Sequence, residues 1–170
     1  ILRIAHSIRR NENLINAEVD WINFLADGGT SVASAILSNN GKLVEAIDDG
    51  AGGLFLATAF VKIKGKPLHK VEWTPQIYET YGRLLGKMHA LSKSYKPSNS
   101  SWLRPDWDDP ILLDVEAHLP NSDGKVRGVY QSLLAYLKTL PRDENCYGLI
   151  HQDAHAGNIF IEETGKITIF

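Results

Sequence analysis

Asp153 and Asn158 stand five positions apart in the stretch His151-Gln152-Asp153-Ala154-His155-Ala156-Gly157-Asn158. A carboxylate can accept the proton of an attacking hydroxyl, and an asparagine amide oxygen can hold magnesium. That pair at that spacing suits phosphoryl transfer to a hydroxyl. The chain between them must bend back so that both side chains face one phosphate, and Gly157 is expected to give the backbone freedom for the bend. A different chemistry uses the same residues. His151, Asp153 and His155 alternate, so on an extended strand they would share one face and could ligate zinc or iron in a metal-dependent hydrolase. No further histidine cluster at ligand spacing accompanies them. The plainest reading is a polar turn whose histidines hydrogen-bond the backbone. The setting favours phosphoryl transfer. Leu149 and Ile150 lead in, Ile159 to Ile161 lead out, and Glu163-Thr164-Gly165-Lys166 is a hairpin turn into Ile167 to Phe170.

The elements that must position this loop follow from periodicity and punctuation. Asn13 to Leu25 has a helical period, with Asn11 or Asn13 to cap it and Gly28-Gly29 to end it. Val32 to Leu37 and Lys42 to Ile47 flank Asn40-Gly41, a hairpin signal. Leu54 to Val61 is an apolar strand, followed by a hinge-like Lys62-Ile63-Lys64-Gly65-Lys66-Pro67. Thr74-Pro75 starts a long helix over Trp73 to Ser94, with an apolar stripe of Ile77, Tyr81, Leu84, Leu85, Met88 and Leu91. His89 on that helix reads as a packing histidine. Lys96 to Pro120, rich in proline and holding Trp102 and Trp107, reads as surface loop. Its Asp106, Trp107, Asp108 and Asp109 are candidates for a cationic acceptor, against simple packing of tryptophan. Gly128 to Leu140 is a second amphipathic helix.

Composition sets bounds. The 170 residues are 44% hydrophobic, enough for a core, and the net charge of −2 comes with no long basic run. Neither a nucleic-acid nor a membrane partner is expected. No run of eighteen apolar residues occurs. The single cysteine, Cys146, reads as a buried spacer in a reducing, cytoplasmic setting. The first residue is Ile1 inside a strand-like segment and the last is Phe170, so a piece of a longer protein is expected.

His151-Gln152-Asp153-Ala154-His155-Ala156-Gly157-Asn158 resembles the His-Gly-Asp-x-His-x-x-Asn loop of the aminoglycoside phosphotransferase and choline kinase-like small-molecule kinases, with Gln152 in place of the commoner glycine. The resemblance implies an α+β, two-lobed protein-kinase-like fold truncated at both ends, with a small β-rich lobe (1–64) and a larger, mainly helical lobe (65–170) carrying the catalytic loop 151–158. It implies ATP and Mg2+ as cofactors and a small-molecule hydroxyl as acceptor: an aminoglycoside, choline, homoserine or similar metabolite. It makes Asp153 the catalytic base, places His151 and His155 in the catalytic loop, and makes Asn158 a metal ligand. Arg3 takes the place of the phosphate-holding lysine, and Glu18 that of the helix glutamate pairing with it. Phe60, Val61 and Lys62 become the adenine edge, and Phe160 and Phe170 the adenine walls. In such kinases a metal-binding aspartate follows the strand that ends here at Phe170. The competing reading is a non-catalytic, nucleotide-binding pseudokinase-like module. The sequence leaves the oligomeric state open.

Overall fold

The computed structural model describes residues 1–110, 115–120 and 122–170. They form two compact units, one of residues 1–103 with 149–170 and one of residues 104–148.

The first unit is built on strands β1 (Leu2–His6), β2 (Ala35–Ile36), β3 (Glu45–Asp48) and β4 (Leu54–Phe60). β1 pairs antiparallel along β4, with Arg3 opposite Thr58 and Ala5 opposite Leu56. Opposed residues share a face. Arg3 therefore lies on the side of buried Leu56 and Thr58, while Leu2, Ile4 and Phe55 on the other side are exposed. Helix α1 (Glu12–Asp27) covers the inner side. Ile15 and Val19, one helical turn apart, join Val44 and Leu56 in a buried cluster.

Both ends of α1 are written locally. The Asn11 side chain accepts a hydrogen bond from the Leu14 N–H at 2.8 Å. At the other end Gly29 takes φ 75°, and the Gly29 and Thr30 N–H groups donate to the Ala26 and Leu25 carbonyls. This left-handed stop needs glycine.

The expected Asn-Gly hairpin is not what forms. Gly41 does turn, with the Ser38 N–H donating to the Lys42 carbonyl at 2.8 Å. Yet β2 and β3 both run antiparallel to β4, at Ala35 to Ile36 and Glu45 to Asp48 respectively. They lie end to end along one side of β4, with 37–44 as a detour. Ser38 Oγ, bonded to Glu45 and to the Asn40 and Lys42 N–H groups, closes that detour.

Strands β5 (Lys66–Pro67), β6 (Ile159–Ile161) and β7 (Ile167–Ile169) form a second sheet in that order. The β6–β7 hairpin turns where expected, with Gly165 at φ 82°. After the 3-10 turn Leu68–Lys70 comes helix α2 (Pro75–Ser92), capped by Thr74 with proline in its first turn. Leu68, Ile77, Leu84, Met88, Ile159, Ile167 and Ile169 bury together with Trp21 and Leu25. α1 thus serves both cores of its unit: its first half seats on the four-stranded sheet, its second half in this cluster. His89 is exposed, correcting the packing role.

The second unit holds α3 (Val115–His118) and α4 (Gly124–Lys138). α4 begins four residues earlier than its apolar period suggests, and Val126, Val129, Leu133 and Tyr136 are exposed. Arg142 makes a two-pronged pair with Asp108 and lies over the rings of Trp107 and Tyr147 at 5.4 and 5.3 Å. Tyr147 donates to Asp106 at 2.8 Å. Two of the acids read as candidates for a cationic acceptor are thus bonded within this unit, and the Arg142 bond holds the Asp108 carboxyl below its usual range. Cys146 is exposed rather than buried, and its bond to Asp143 raises the thiol pKa. Residues 111–114, part of the expected loop, lie outside the described residues.

Candidate active site

The loop 151–158 is a run of turns between Ile150 and β6 rather than a strand. The His155 N–H donates to the Asp153 carbonyl and the Asn158 N–H to the His155 carbonyl, both at 2.9 Å. This winding brings the two key side chains together. Asn158 Nδ2 donates to Asp153 Oδ2 at 2.9 Å and to the Asp153 carbonyl at 2.8 Å. With its nitrogen so committed, the amide oxygen of Asn158 is left without a hydrogen-bond partner among the described residues. It is an acceptor held ready beside a carboxylate. Asp153 itself is open to solvent, with 73% of its side chain exposed.

The histidines serve the loop in different ways. His151 Nε2 lies 3.0 Å from the Phe170 carbonyl oxygen, to which it donates, and its Nδ1 is buried without a partner among the described residues. His155 Nδ1 accepts from the Gly157 N–H at 2.9 Å, so the neutral ring carries its proton on Nε2, 3.6 Å from Asp153 Oδ1. Gly157 does not use a glycine-only backbone. A Cβ there would lie 2.5 Å from His155 Cε1, so the residue is small to admit the ring. The turns also dispose of the hydrolase geometry. His151 and His155 point to different partners, and among the described residues no three His, Cys, Asp or Glu side chains converge as metal ligands.

Two anchors of this loop escaped the sequence reading. Tyr81 Oη on α2 donates to the Ala154 carbonyl at 2.5 Å, and the His69 N–H donates to the Ala156 carbonyl at 3.2 Å. Tyr81 was readable only as part of the apolar stripe. A half-buried tyrosine must place its hydroxyl somewhere, and that is the one available signal.

On the four-stranded sheet, the Arg3 guanidinium pairs with Glu18 Oε1, while Arg10 holds Glu18 Oε2 at 2.8 Å. Two cations share one carboxylate, which leaves one net positive charge. Arg3 also lies over the Phe60 ring at 4.9 Å. Its Nη2 is buried with no partner among the described residues. A guanidinium N–H so placed is an unused donor, and it fits an anionic oxygen.

Of the proposed adenine edge, Phe60 exchanges backbone bonds with Ile1, and the Val61 N–H donates to the Ser34 carbonyl at 2.9 Å. Among the described residues, the Val61 carbonyl and the N–H and carbonyl of Lys62 have no backbone partner. Gly65 fixes where the chain crosses β6: it has φ 94°, and a Cβ would lie 2.2 Å from the Ile161 carbonyl oxygen. Phe160 and Phe170 meet with ring centroids 5.8 Å apart.

The profile of the phosphotransferase enzyme family (APH) matches residues 1–170. The chain belongs to that family. Amicoumacin kinase of Bacillus subtilis (strain 168) is 41% identical over 170 residues, which are all of this chain and 50% of that protein. An amicoumacin kinase solved in complex with AMP-PNP, Ca2+ and Ami superposes with a TM-score of 0.93 at 36% identity, over 99% of this chain and 50% of that one. A microcompartment-associated aminopropanol kinase shares the fold, with a TM-score of 0.73 at 22% identity over 99% of this chain and 55% of that one. The chain spans about half the length of the curated relatives it matches. The kinase-like α+β fold expected from the loop motif is the fold of this family.

Proposed function

We propose that the protein is an ATP-dependent phosphotransferase that moves the γ-phosphate to a hydroxyl of a small molecule. The observation that carries this reading is the Asp153–Asn158 pair, a solvent-open carboxylate bonded to an amide whose oxygen has no partner among the described residues. ATP with a divalent cation supplies the phosphoryl group and the charge that eases its transfer. Among this chain's residues, Asp153 orients the acceptor hydroxyl and takes its proton. Asn158 offers its amide oxygen to the cation. His151 braces the end of β7 through the Phe170 carbonyl, and His155 steadies the loop beside Asp153. Arg3, held by Glu18, turns its unused N–H toward phosphate oxygens. The Val61 carbonyl and Lys62 meet the adenine edge, and Phe160 and Phe170 flank the base. In this reading the small lobe is 1–64 and the large lobe 65–170.

Relatives support the acceptor class. The relative with 41% identity is an amicoumacin kinase, which makes amicoumacin the first acceptor to try. Consumption of ATP also fits a cytoplasmic site of action. Among the described residues no helix is long and apolar enough to cross a membrane. The test is phosphate transfer from Mg-ATP by the full-length protein to amicoumacin and a panel of amino alcohols and aminoglycosides, followed by phosphorus NMR. A new phosphomonoester signal is expected. ATP left intact with every acceptor, together with no heat of Mg-ATP binding in calorimetry, overturns the reading.

A further inference from the structure

α1 is tied across the width of the four-stranded sheet. At one edge Glu18 meets Arg3 of β1. At the other, the Asn23 side chain meets β2: its Oδ1 accepts from the Ala35 N–H at 2.8 Å, and its Nδ2 reaches the Ala35 carbonyl at 3.4 Å. Between these edges lies β4. The dimensions agree. Five residues of helix rise about 7.5 Å, and the two outer strands stand about 9.6 Å apart, a gap that side chains close.

The Asn23 amide answers a specific need. Ala35 pairs with Phe60 on β4, and its own N–H and carbonyl face outward along the open side of β2. An asparagine side chain carries the same donor and acceptor as a peptide group, so Asn23 acts as a one-residue neighbouring strand. Further ties fix the opposite flank of the helix. Trp21 Nε1 donates to Ser92 Oγ at 3.0 Å, and Asp20 Oδ2 accepts from Tyr95 Oη at 2.6 Å and from the Ser98 N–H at 3.0 Å. Those bonds join α1 to the end of α2 and the segment just after it, whereas the Asn23 bonds tie the helix to the strand edge opposite Arg3. A helix pinned to α2 alone could still roll over the sheet on Ile15 and Val19, because apolar contact has no direction.

We propose that Asn23 is a positioning residue: by clamping α1 to the open edge of β2 it holds Glu18 against Arg3 and keeps the Arg3 guanidinium aimed at the nucleotide phosphates. The last clause rests on the phosphotransferase reading; the clamp itself does not.

Asn23→Ala, Glu18→Gln and the double variant of the full-length protein test both parts. In thermal melts without nucleotide, the double variant is expected to melt above the temperature that summed single shifts give, because either change already frees the same contact. In calorimetry with Mg-ATP, Asn23→Ala is expected to raise Kd about tenfold in the parent background and less than about twofold in the Glu18→Gln background. Val44→Ala, which loosens the same core without touching the clamp, should lower the melting temperature and leave Kd unchanged. Should Asn23→Ala not fold, Asn23→Asp takes its place in the same cycle; it keeps the acceptor for the Ala35 N–H and sets a carboxylate oxygen against the Ala35 carbonyl. Additive melting shifts overturn the clamp. So does an equal loss of Mg-ATP affinity in both backgrounds, or in Val44→Ala. A parent protein that binds no Mg-ATP overturns the phosphotransferase reading instead, and the melts still decide the clamp.

Discussion

Two carboxylates in this molecule are held in opposite ways. Glu18 lies on a helix between two arginines, 20% exposed, with both oxygens engaged. Asp153 lies on a loop, 73% exposed, with one oxygen on Asn158 and the other facing His155. Glu18 is held from several sides at once: two cations, a packed helix and ties at both flanks. Asp153 depends on a short run of turns and on the Tyr81 and His69 anchors beneath it. A group that only orients a cation can be locked in place. A group that must meet an incoming hydroxyl has to stay open. The difference predicts that substitutions near α1 act through stability and nucleotide affinity, and those in the loop through turnover.

The sharpest break should come at Asp153. Asp153→Asn is expected to lower phosphate transfer by a factor of about 100 to 10,000, the usual worth of a positioned base, with the melting temperature unchanged. A melt shifted as much as the activity would erase the contrast. On the helix side the reverse is expected. Leu25 is fully buried in the larger core, so Leu25→Ala should cost about 3 kcal/mol in chemical denaturation while kcat measured well below the melt stays near the parent value.

Tyr81→Phe sharpens the comparison because it removes only the bond to the Ala154 carbonyl. It should cost about 1 kcal/mol of stability and lower kcat severalfold, through the loop it no longer fixes. An unchanged kcat would detach Tyr81 from the site. The smallest effect concerns acid. Asp49 accepts from the Ala51 N–H, from His6 Nε2 and from the Gly53 N–H, which together hold its carboxyl down at about 2 against an ordinary 3.8. The unfolded chain therefore binds the proton first, so the stabilisation is complete above about 3.8 and is lost as pH falls towards 2. Asp49→Asn should flatten that part of a melting temperature against pH curve, while the Asp153 variant leaves it steep.

The sequence was most readable where local chemistry decides. Thr74-Pro75 fixed the start of α2, Asn11 and Gly29 bounded α1, and Gly165 turned the β6–β7 hairpin, because caps and left-handed turns are set by the residues that make them. The loop motif identified the family for the same reason. Non-local choices stayed hidden. Asn40-Gly41 does turn the chain, but which strand β3 joins is decided by β4, a partner that no short window contains. Gly157 is needed for space rather than for backbone freedom, since its neighbour is a ring two residues back. Asn23 was lost among the polar residues of an amphipathic helix, where nothing in the pattern separates an amide facing water from one facing a strand edge. Residue type suggests burial for His89 and Cys146, yet both are exposed, since type says little about which side of a helix or turn is covered.

The detour at 37–44 leaves one side of β4 and returns in the same direction, closed on itself by Ser38. Val44 at its end is buried in the core, but Asn39 to Lys42 are exposed, so a change of length there shifts neither Ala35 against Phe60 nor Glu45 against Ala57. Such a segment can drift freely in size among descendants, or carry a grafted tag, while the sheet beneath keeps its alignment.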